Sequence, residues 1–274
     1  MSEHLAAPYP EAILENKKIL FPARKSSKFS FTGKLRYWWC WVAAATLLLV
    51  LGTPSLILLW VIRRKLWLYP IANFGAKMWL KACGAQIEVR GAENLREGEN
   101  YVFASNHRSY LDTATLFAFT DRRVGLVAKK ELLKVPIMGV GMGYVNVIAI
   151  DRSNPEKARQ SMKKAKDVLE DGYSFGVFAE GTRAMPHELL PFKKGAFHLA
   201  IQTEAPVVPV AIKNTDWMMG KKQGVAYPGT VEMVLLPPIE TKGLKAENDL
   251  TDLLRNVRFK IMEELTKDQI DEKF

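Results

Sequence analysis

The pattern of apolar and polar positions divides the chain before any composition is counted. From Tyr37 to Ile62 no charged residue occurs, which is longer than the roughly 20 residues a helix needs to cross a bilayer core. Gly52-Thr53-Pro54-Ser55 sits past the middle of this run. A proline inside a helix forfeits a hydrogen bond, so a kink or a re-entrant hairpin is expected there. Lys34 and Arg36 precede the run and Arg63, Arg64 and Lys65 follow it, so both of its ends are expected on the cytoplasmic side. It starts too late and runs too long for a cleaved signal sequence. Leu66 to Ala82 then mixes Trp67, Tyr69 and Trp79 with Lys77 and Lys81, which suits a helix in the lipid headgroup zone or a helix of the core.

Beyond Gly84 short β-rich runs alternate with longer helical patterns, the texture of an α/β domain. Strands are expected at Gln86–Val89, Tyr101–Ala104, Val124–Ala128, Val145–Ile150, Ser174–Phe178, Val207–Ile212 and Val231–Leu235. Helices are expected at Thr113–Phe119, Glu156–Glu170, Gly195–Thr203 and Leu250–Leu265, where apolar residues recur at three and four. Pro206 and Pro209 would confine the Val207 strand to an edge or an irregular position. The organisation read from this is a basic N-terminal tail (1–36) without a strong core face, a hydrophobic membrane-anchoring helical segment (37–83) and a catalytic domain (84–274).

Composition sharpens the picture in two respects. The chain of 274 residues is 48% hydrophobic and 25% charged, a globular balance with enough apolar material for one core. Its 39 Lys+Arg against 29 Asp+Glu leave a formal charge of +10, which calls for an acidic partner: nucleic acid, anionic lipid or a phosphorylated substrate. No nucleic-acid motif is present and the charge is spread along the chain, so nucleic acid is not expected. The two cysteines, Cys40 and Cys83, are far apart in sequence. Neither a disulfide framework nor a thiolate metal site is suggested, a reducing, cytosol-facing location is expected, and no metal or cofactor is implied.

Candidate chemistry gathers where strands end, as sites in α/β folds do. In SNHRSYLD, His107 and Asp112 are spaced so that the carboxylate can meet one imidazole nitrogen while the other faces a cleft, the setting of an oriented general base. Taken alone, Asp112 could equally be a helix N-cap. In FAEGTR, a flexible backbone at Gly181 stands beside Arg183, a side chain that grips phosphate with two hydrogen bonds; the plainer alternative is a turn with a solvated arginine. Ile150-Asp151-Arg152 and Val208-Pro209-Val210-Ala211-Ile212 close two further strands. Gly139–Gly143 precedes a strand and lacks the dinucleotide-loop spacing. No GxSxG elbow surrounds Ser109, so a serine hydrolase remains a minor alternative.

At these residues the sequence resembles the lysophosphatidic acid acyltransferase family, the 1-acylglycerol-3-phosphate O-acyltransferases. The family's NHxSxxD block is met by Asn106, His107, Ser109 and Asp112, and its FPEGTRS block by Phe178, Glu180, Gly181, Thr182 and Arg183. Ile150, Asp151 and Arg152 meet a third block and Val208 to Ile212 a fourth. Ala179, Ala184 and Ala149 depart from the family's usual proline, serine and aromatic residue without removing a charged or proton-carrying group.

The resemblance implies a glycerolipid acyltransferase-like α/β fold, a mixed sheet flanked by helices and preceded by an N-terminal hydrophobic helical hairpin. It implies transfer of a fatty acyl group from acyl-CoA or acyl carrier protein to the sn-2 hydroxyl of lysophosphatidic acid. His107 and Asp112 would be catalytic. Glu180, Gly181, Thr182, Arg183, Lys130, Arg152 and Lys193 would bind substrate, with no cofactor. Anionic membrane lipid is the expected surface partner and the cytoplasmic face of a membrane the expected location, the inner membrane in a bacterium. Acylation of another lysophospholipid or of glycerol-3-phosphate is the near alternative, and a non-catalytic lipid-binding protein the distant one.

Overall fold

A computed structural model describes residues 9–22, 30–62, 68–120, 122–150 and 155–271. The chain opens with α1 (Glu11–Leu14) and β1 (Ile19–Leu20), then runs through α2 (Phe31–Leu47), α3 (Thr53–Ile62) and α4 (Leu68–Ala82). The sheet domain follows with β2 (Ala85–Arg90), β3 (Val102–Ser105), α5 (Leu111–Phe119), β4 (Val124–Lys129), α6 (Met138–Met142), β5 (Ile148–Ile150), α7 (Pro155–Glu170) and β6 (Ser174–Phe178). It is completed by β7 (Glu188–Leu189), α8 (Gly195–Thr203), β8 (Val207–Lys213), α9 (Thr215–Met219), β9 (Gly229–Leu235) and α10 (Ala246–Asp271).

Seven strands form one mixed sheet in the order β2-β9-β8-β3-β6-β4-β5. Strands β8, β3, β6, β4 and β5 are mutually parallel and deliver their C-terminal ends to one rim, while β9 runs antiparallel to β8. Both faces are covered. Val102, Ala104, Val207 and Ala211 point into a core shared with α7, α8 and α10. Phe103, Val208, Val210 and Ile212 point the other way, onto α2, α4 and α5. Burial on both faces is why the Val207 strand reads as a continuous apolar run and not as an alternation. The strand expected from Val145 begins only at Ile148, because Gly143–Val145 forms a 3-10 turn that ends at Asn146 in a left-handed conformation (φ 53°).

The proline-bearing strand corrects an expectation, since β8 is interior and not an edge. Val210 pairs with Leu235 but Val207 bridges Ile239, so the facing strand carries one extra residue opposite Pro209. This local bulge is where the missing N–H falls, and the Pro209 carbonyl still accepts from Leu236 N at 3.0 Å. The irregularity predicted from the proline is therefore present, confined to one rung of a central strand.

The apolar segment also differs from its expected shape. Phe31–Ile62 is one continuous helical run, long and apolar enough to cross a membrane, and it does not turn back at Gly52. Leu48–Gly52 adopts a wider π-helical turn in which Thr53 N–H reaches the Leu48 carbonyl. Pro54 follows directly on this turn, whose wider spacing accommodates its missing N–H within the run. Gly52 is needed for close approach: a Cβ there would lie 2.8 Å from Ile137 Cγ2. The hairpin is made with α4, whose end returns beside the start of α2. Trp39 Nε1 donates to Ala82 O (3.0 Å) and Trp79 Nε1 to Cys40 O (2.9 Å). This brings the buried Cys40 and Cys83 thiols into contact, which their distance in sequence did not suggest.

Residues 9–22 are packed, where a basic tail without a core face was expected. Ile13 and Phe21 are buried, β1 pairs antiparallel with β7, and Asn16 exchanges two hydrogen bonds with the Phe192 backbone. Arg258, fully buried on α10, donates to the carbonyls of Ala12 and Lys17. Burial holds its pKa down to about 10, against the charge of Glu180.

Candidate active site

Strands β3 and β6 are neighbours with Ser105 opposite Phe178, so the two most informative motifs leave the sheet side by side at the same rim. Backbone bonds then lock them together. Ala179 N donates to Ser105 O at 3.0 Å, and Ala184 N to His107 O at 2.7 Å. On the other flank Asn106 clamps β8, donating to Ile212 O (2.9 Å) and accepting from Ile212 N (2.8 Å).

This frame presents His107. Its Nδ1 lies 3.0 Å from Asp112 Oδ2. The same oxygen accepts from Arg108 N (2.6 Å) and Ser109 N (2.7 Å), so the carboxylate is fixed by the turn that leads into α5. Asp112 is not the helix N-cap, a position held by Tyr110; it lies in the first turn of α5 and the amides it accepts from precede the helix, so of the two alternatives in the sequence the orienting one is present. Because Oδ2 is an acceptor, Nδ1 carries the imidazole proton and Nε2 holds the lone pair. Among the described residues Nε2 has no hydrogen-bond partner. The ring stacks on Phe178, centroids 4.0 Å apart, which fixes its plane. Ser109 is buried and its hydroxyl donates to Met219 O at 2.8 Å, so it is not poised as a nucleophile.

Glu180 moves inward relative to the expected ligand contact. It is buried, with Oε1 accepting from His107 N and Oε2 from Leu190 N, both at 2.7 Å. Burial outweighs these two donors and pushes its carboxyl up to about 7. A carboxyl raised in the folded state contributes stability below its unfolded value of 4.5, and that contribution is lost as pH rises through about 7. Glu180→Gln should therefore flatten the pH dependence of thermal stability between those limits. Its amide NH2 would also face one of the two backbone donors, at a cost of about 1–3 kcal/mol. Melting curves of the two proteins from pH 4.5 to 8 check both effects, and parallel pH profiles would contradict the assignment.

The remaining expected residues sort by place. Gly181 adopts φ 70°, and a Cβ there would meet Lys193 Cγ at 3.2 Å, so the Lys193 stem lies against this turn. Thr182 is exposed beside it. The Arg183 guanidinium lies over the Tyr110 ring. Lys130 is exposed on the same rim, directly after β4, with no hydrogen bond or ion pair to His107 or Arg183. Arg152 and Asp151 lie outside the described residues.

Sequence reasoning assigned no role to Asn106, Phe178, Tyr110 or Arg108, although all four sit within the quoted motifs. Arg108 is buried, donating to Glu188 O at 2.9 Å and pairing with Asp216 at 3.3 Å, under the Phe21 ring of the N-terminal segment. Lys221, which donates to Arg183 O, had no sequence signal because it lies in the loop after α9.

The sequence model of the family described as Acyltransferase matches residues 86–213, the stretch that carries all four blocks. The 1-acyl-sn-glycerol-3-phosphate acyltransferase alpha of Bos taurus is 35% identical over 188 residues, 68% of this chain and 66% of that protein. The 1-acyl-sn-glycerol-3-phosphate acyltransferase of Saccharomyces cerevisiae is 35% identical over 189 residues, 64% of this chain and 62% of that protein. The matched stretch thus spans just under two thirds of these relatives' length. The fold is shared with the crystal structure of PlsC, the 1-acyl-sn-glycerophosphate (LPA) acyltransferase of Thermotoga maritima, at a TM-score of 0.72 and 24% identity, over 86% of this chain and 96% of that one. Residues 86–213 thus carry the acyltransferase domain of the family in which these 1-acyl-sn-glycerol-3-phosphate acyltransferases stand.

Proposed function

We propose that the protein transfers a fatty acyl group from a thioester, acyl-CoA or acyl carrier protein, to the sn-2 hydroxyl of lysophosphatidic acid, making phosphatidic acid. The observation that carries this reading is the His107–Asp112 pair: an imidazole with a free Nε2, its other nitrogen 3.0 Å from a carboxylate that two backbone amides immobilise. An alcohol is a poor nucleophile at neutral pH. His107 Nε2 removes its proton as the oxygen attacks the thioester carbonyl, and Asp112 stabilises the imidazolium that forms. Collapse of the tetrahedral species expels the thiolate, which takes that proton back. No acyl-enzyme intervenes, since the hydroxyl attacks directly. Glu180 holds the His107 backbone in place, and Arg183, with Lys193 beside Gly181, receives the acceptor phosphate. Among the described residues no carboxylate pairs with Arg183, so its in-plane donors are available to a phosphate.

Kinetics on a panel of acceptors test the substrate. Lysophosphatidic acid should give the largest kcat/KM, ahead of glycerol-3-phosphate, lysophosphatidylcholine and monoacylglycerol. A preference for another of these moves the assignment within the family, and absence of transfer to any of them favours a lipid-binding protein.

The helical run supports a reading in which this chemistry sits at a membrane surface. At 32 residues it is about 48 Å long, yet it touches the domain along its whole length. Trp41 meets Tyr110, Gly52 meets Ile137, and Leu59 packs with Tyr69 and Val145. Its outer side exposes Trp38, Trp39, Leu49, Val50, Ile57, Trp60 and Val61, and Phe74 and Met78 of α4 are exposed as well. A helix bound to the domain at both ends suits burial in one leaflet, with the domain on the cytoplasmic face. Cysteines introduced as Lys34→Cys and Lys65→Cys, after removal of Cys40 and Cys83, should label equally with an impermeant thiol reagent in sealed vesicles. Labelling from opposite faces would mean that the helix crosses.

A further inference from the structure

Arg183 is held at two points. Its backbone carbonyl accepts from Lys221 Nζ, and its guanidinium carbon lies 3.6 Å from the centroid of the Tyr110 ring. Tyr110 is 40% exposed at the start of α5, so it adds little to the core. Its ring is met edge-on by Trp41 of α2, with centroids 5.1 Å apart and planes at 81°. Trp41 is met in turn by Tyr37, one helical turn earlier, at 6.1 Å and 76°. A row of aromatic rings therefore runs from the apolar helix to the arginine of the EGTR turn.

We propose that Tyr110 is the positioning residue for Arg183, an aromatic platform that fixes the guanidinium plane in the acceptor-phosphate site, with Trp41 as its buttress on the membrane-facing helix. This rests on the reading of Arg183 as the group that receives the acceptor phosphate. The physical case is that a guanidinium attracted by its face to a π-system keeps all its in-plane N–H donors free. An ion pair would hold the side chain equally well but would occupy the donors that phosphate requires. Stacking also removes most of the rotamer freedom that a long exposed side chain would lose on binding, so the cost of ordering it is met before the ligand arrives. The position of the platform gives it a second consequence. Because Trp41 belongs to the helix that carries the exposed apolar face, the phosphate-reading edge of Arg183 is registered against the surface from which a lipid acceptor must come.

The experiment compares wild type, Tyr110→Phe, Tyr110→Leu, Arg183→Ala and the Tyr110→Leu/Arg183→Ala double variant on lysophosphatidic acid presented in phosphatidylcholine vesicles. KM for acceptor and for acyl-CoA, and kcat, are measured for each. Tyr110→Leu should raise the acceptor KM by about 3- to 30-fold while kcat and the acyl-CoA KM stay within about twofold. Tyr110→Phe, which keeps the π-face, should stay near wild type. The double variant should be no worse than Arg183→Ala alone, because the platform acts only through the arginine. If Tyr110→Leu melts early, Tyr110→Gln, a polar side chain suited to an exposed site, takes its place. An unchanged acceptor KM in the leucine or glutamine variant overturns the proposal. So does a loss that adds in full to that of Arg183→Ala, or one that falls equally on acyl-CoA. An Arg183→Ala protein with a normal acceptor KM would instead strike the phosphate reading of Arg183, and the role of Tyr110 would fall with it.

Discussion

Replacing His107 by alanine is expected to lower kcat by about 10²- to 10⁴-fold, the usual contribution of a positioned general base. The effect should fall on chemistry and not on folding. The side chain is 15% exposed and sits at the rim against Phe178, so its removal opens no core cavity. The backbone bonds that fix the loop, His107 N to Glu180 and Ala184 N to His107 O, survive the substitution. Acceptor KM should change little, since the groups assigned to phosphate lie on the other loop. Steady-state kinetics together with a melting curve check this, and turnover within about tenfold of wild type in a folded protein would contradict the role of the imidazole.

The second large effect is expected of Asp112→Asn. The amide oxygen can still accept from Arg108 N, Ser109 N and His107 Nδ1, so the turn and the ring orientation survive. What is lost is the negative charge that stabilises the imidazolium. Orienting carboxylates of this kind cost about 10⁴-fold in kcat when made neutral in a serine protease, and about 10²- to 10⁴-fold is expected here. Stability should fall too. Oδ1 is buried without a partner among the described residues, so an amide NH2 there exchanges one unpaired group for another, and the loss comes from the charge assistance of the three bonds to Oδ2. Asp112→Ala would instead orphan two backbone amides and mix folding with chemistry. The asparagine variant separates them: a kcat loss much larger than its stability loss supports an electrostatic role, and a proportionate loss of both supports a purely structural role in the turn.

The elements most legible in the sequence were those whose burial leaves a long pattern. All seven sheet strands appear, because each is an apolar or an alternating run bounded by turns, and Gly195–Thr203 forms with the bounds expected. The two catalytic candidates were legible because they share one turn, where spacing along the chain becomes distance in space. The N-terminal segment was not. A four-residue helix and a two-residue strand are too short to show a period, and their anchors, Arg258 and Phe192, lie more than 170 residues away. Glu180 was assigned to substrate through the resemblance alone; its burial depends on two amide donors from separate segments, which no local pattern reveals. Whether the apolar run kinks or turns back was left open by the sequence for a related reason. Pro54 disfavours a regular α-helix, but a π-turn and the Ser55 hydroxyl bonded to the Leu51 carbonyl accommodate it without reversing the chain.

The most direct test of the account is to identify the product. Purified protein would be incubated with labelled acyl-CoA and vesicle-borne lysophosphatidic acid, and the lipid fraction resolved by mass and by positional analysis of the acyl chain, with His107→Ala run beside it. The predicted result is phosphatidic acid carrying the label at sn-2, made by wild type and absent with the variant. Label released as free fatty acid, label on a different acceptor, or equal product from both proteins would contradict it.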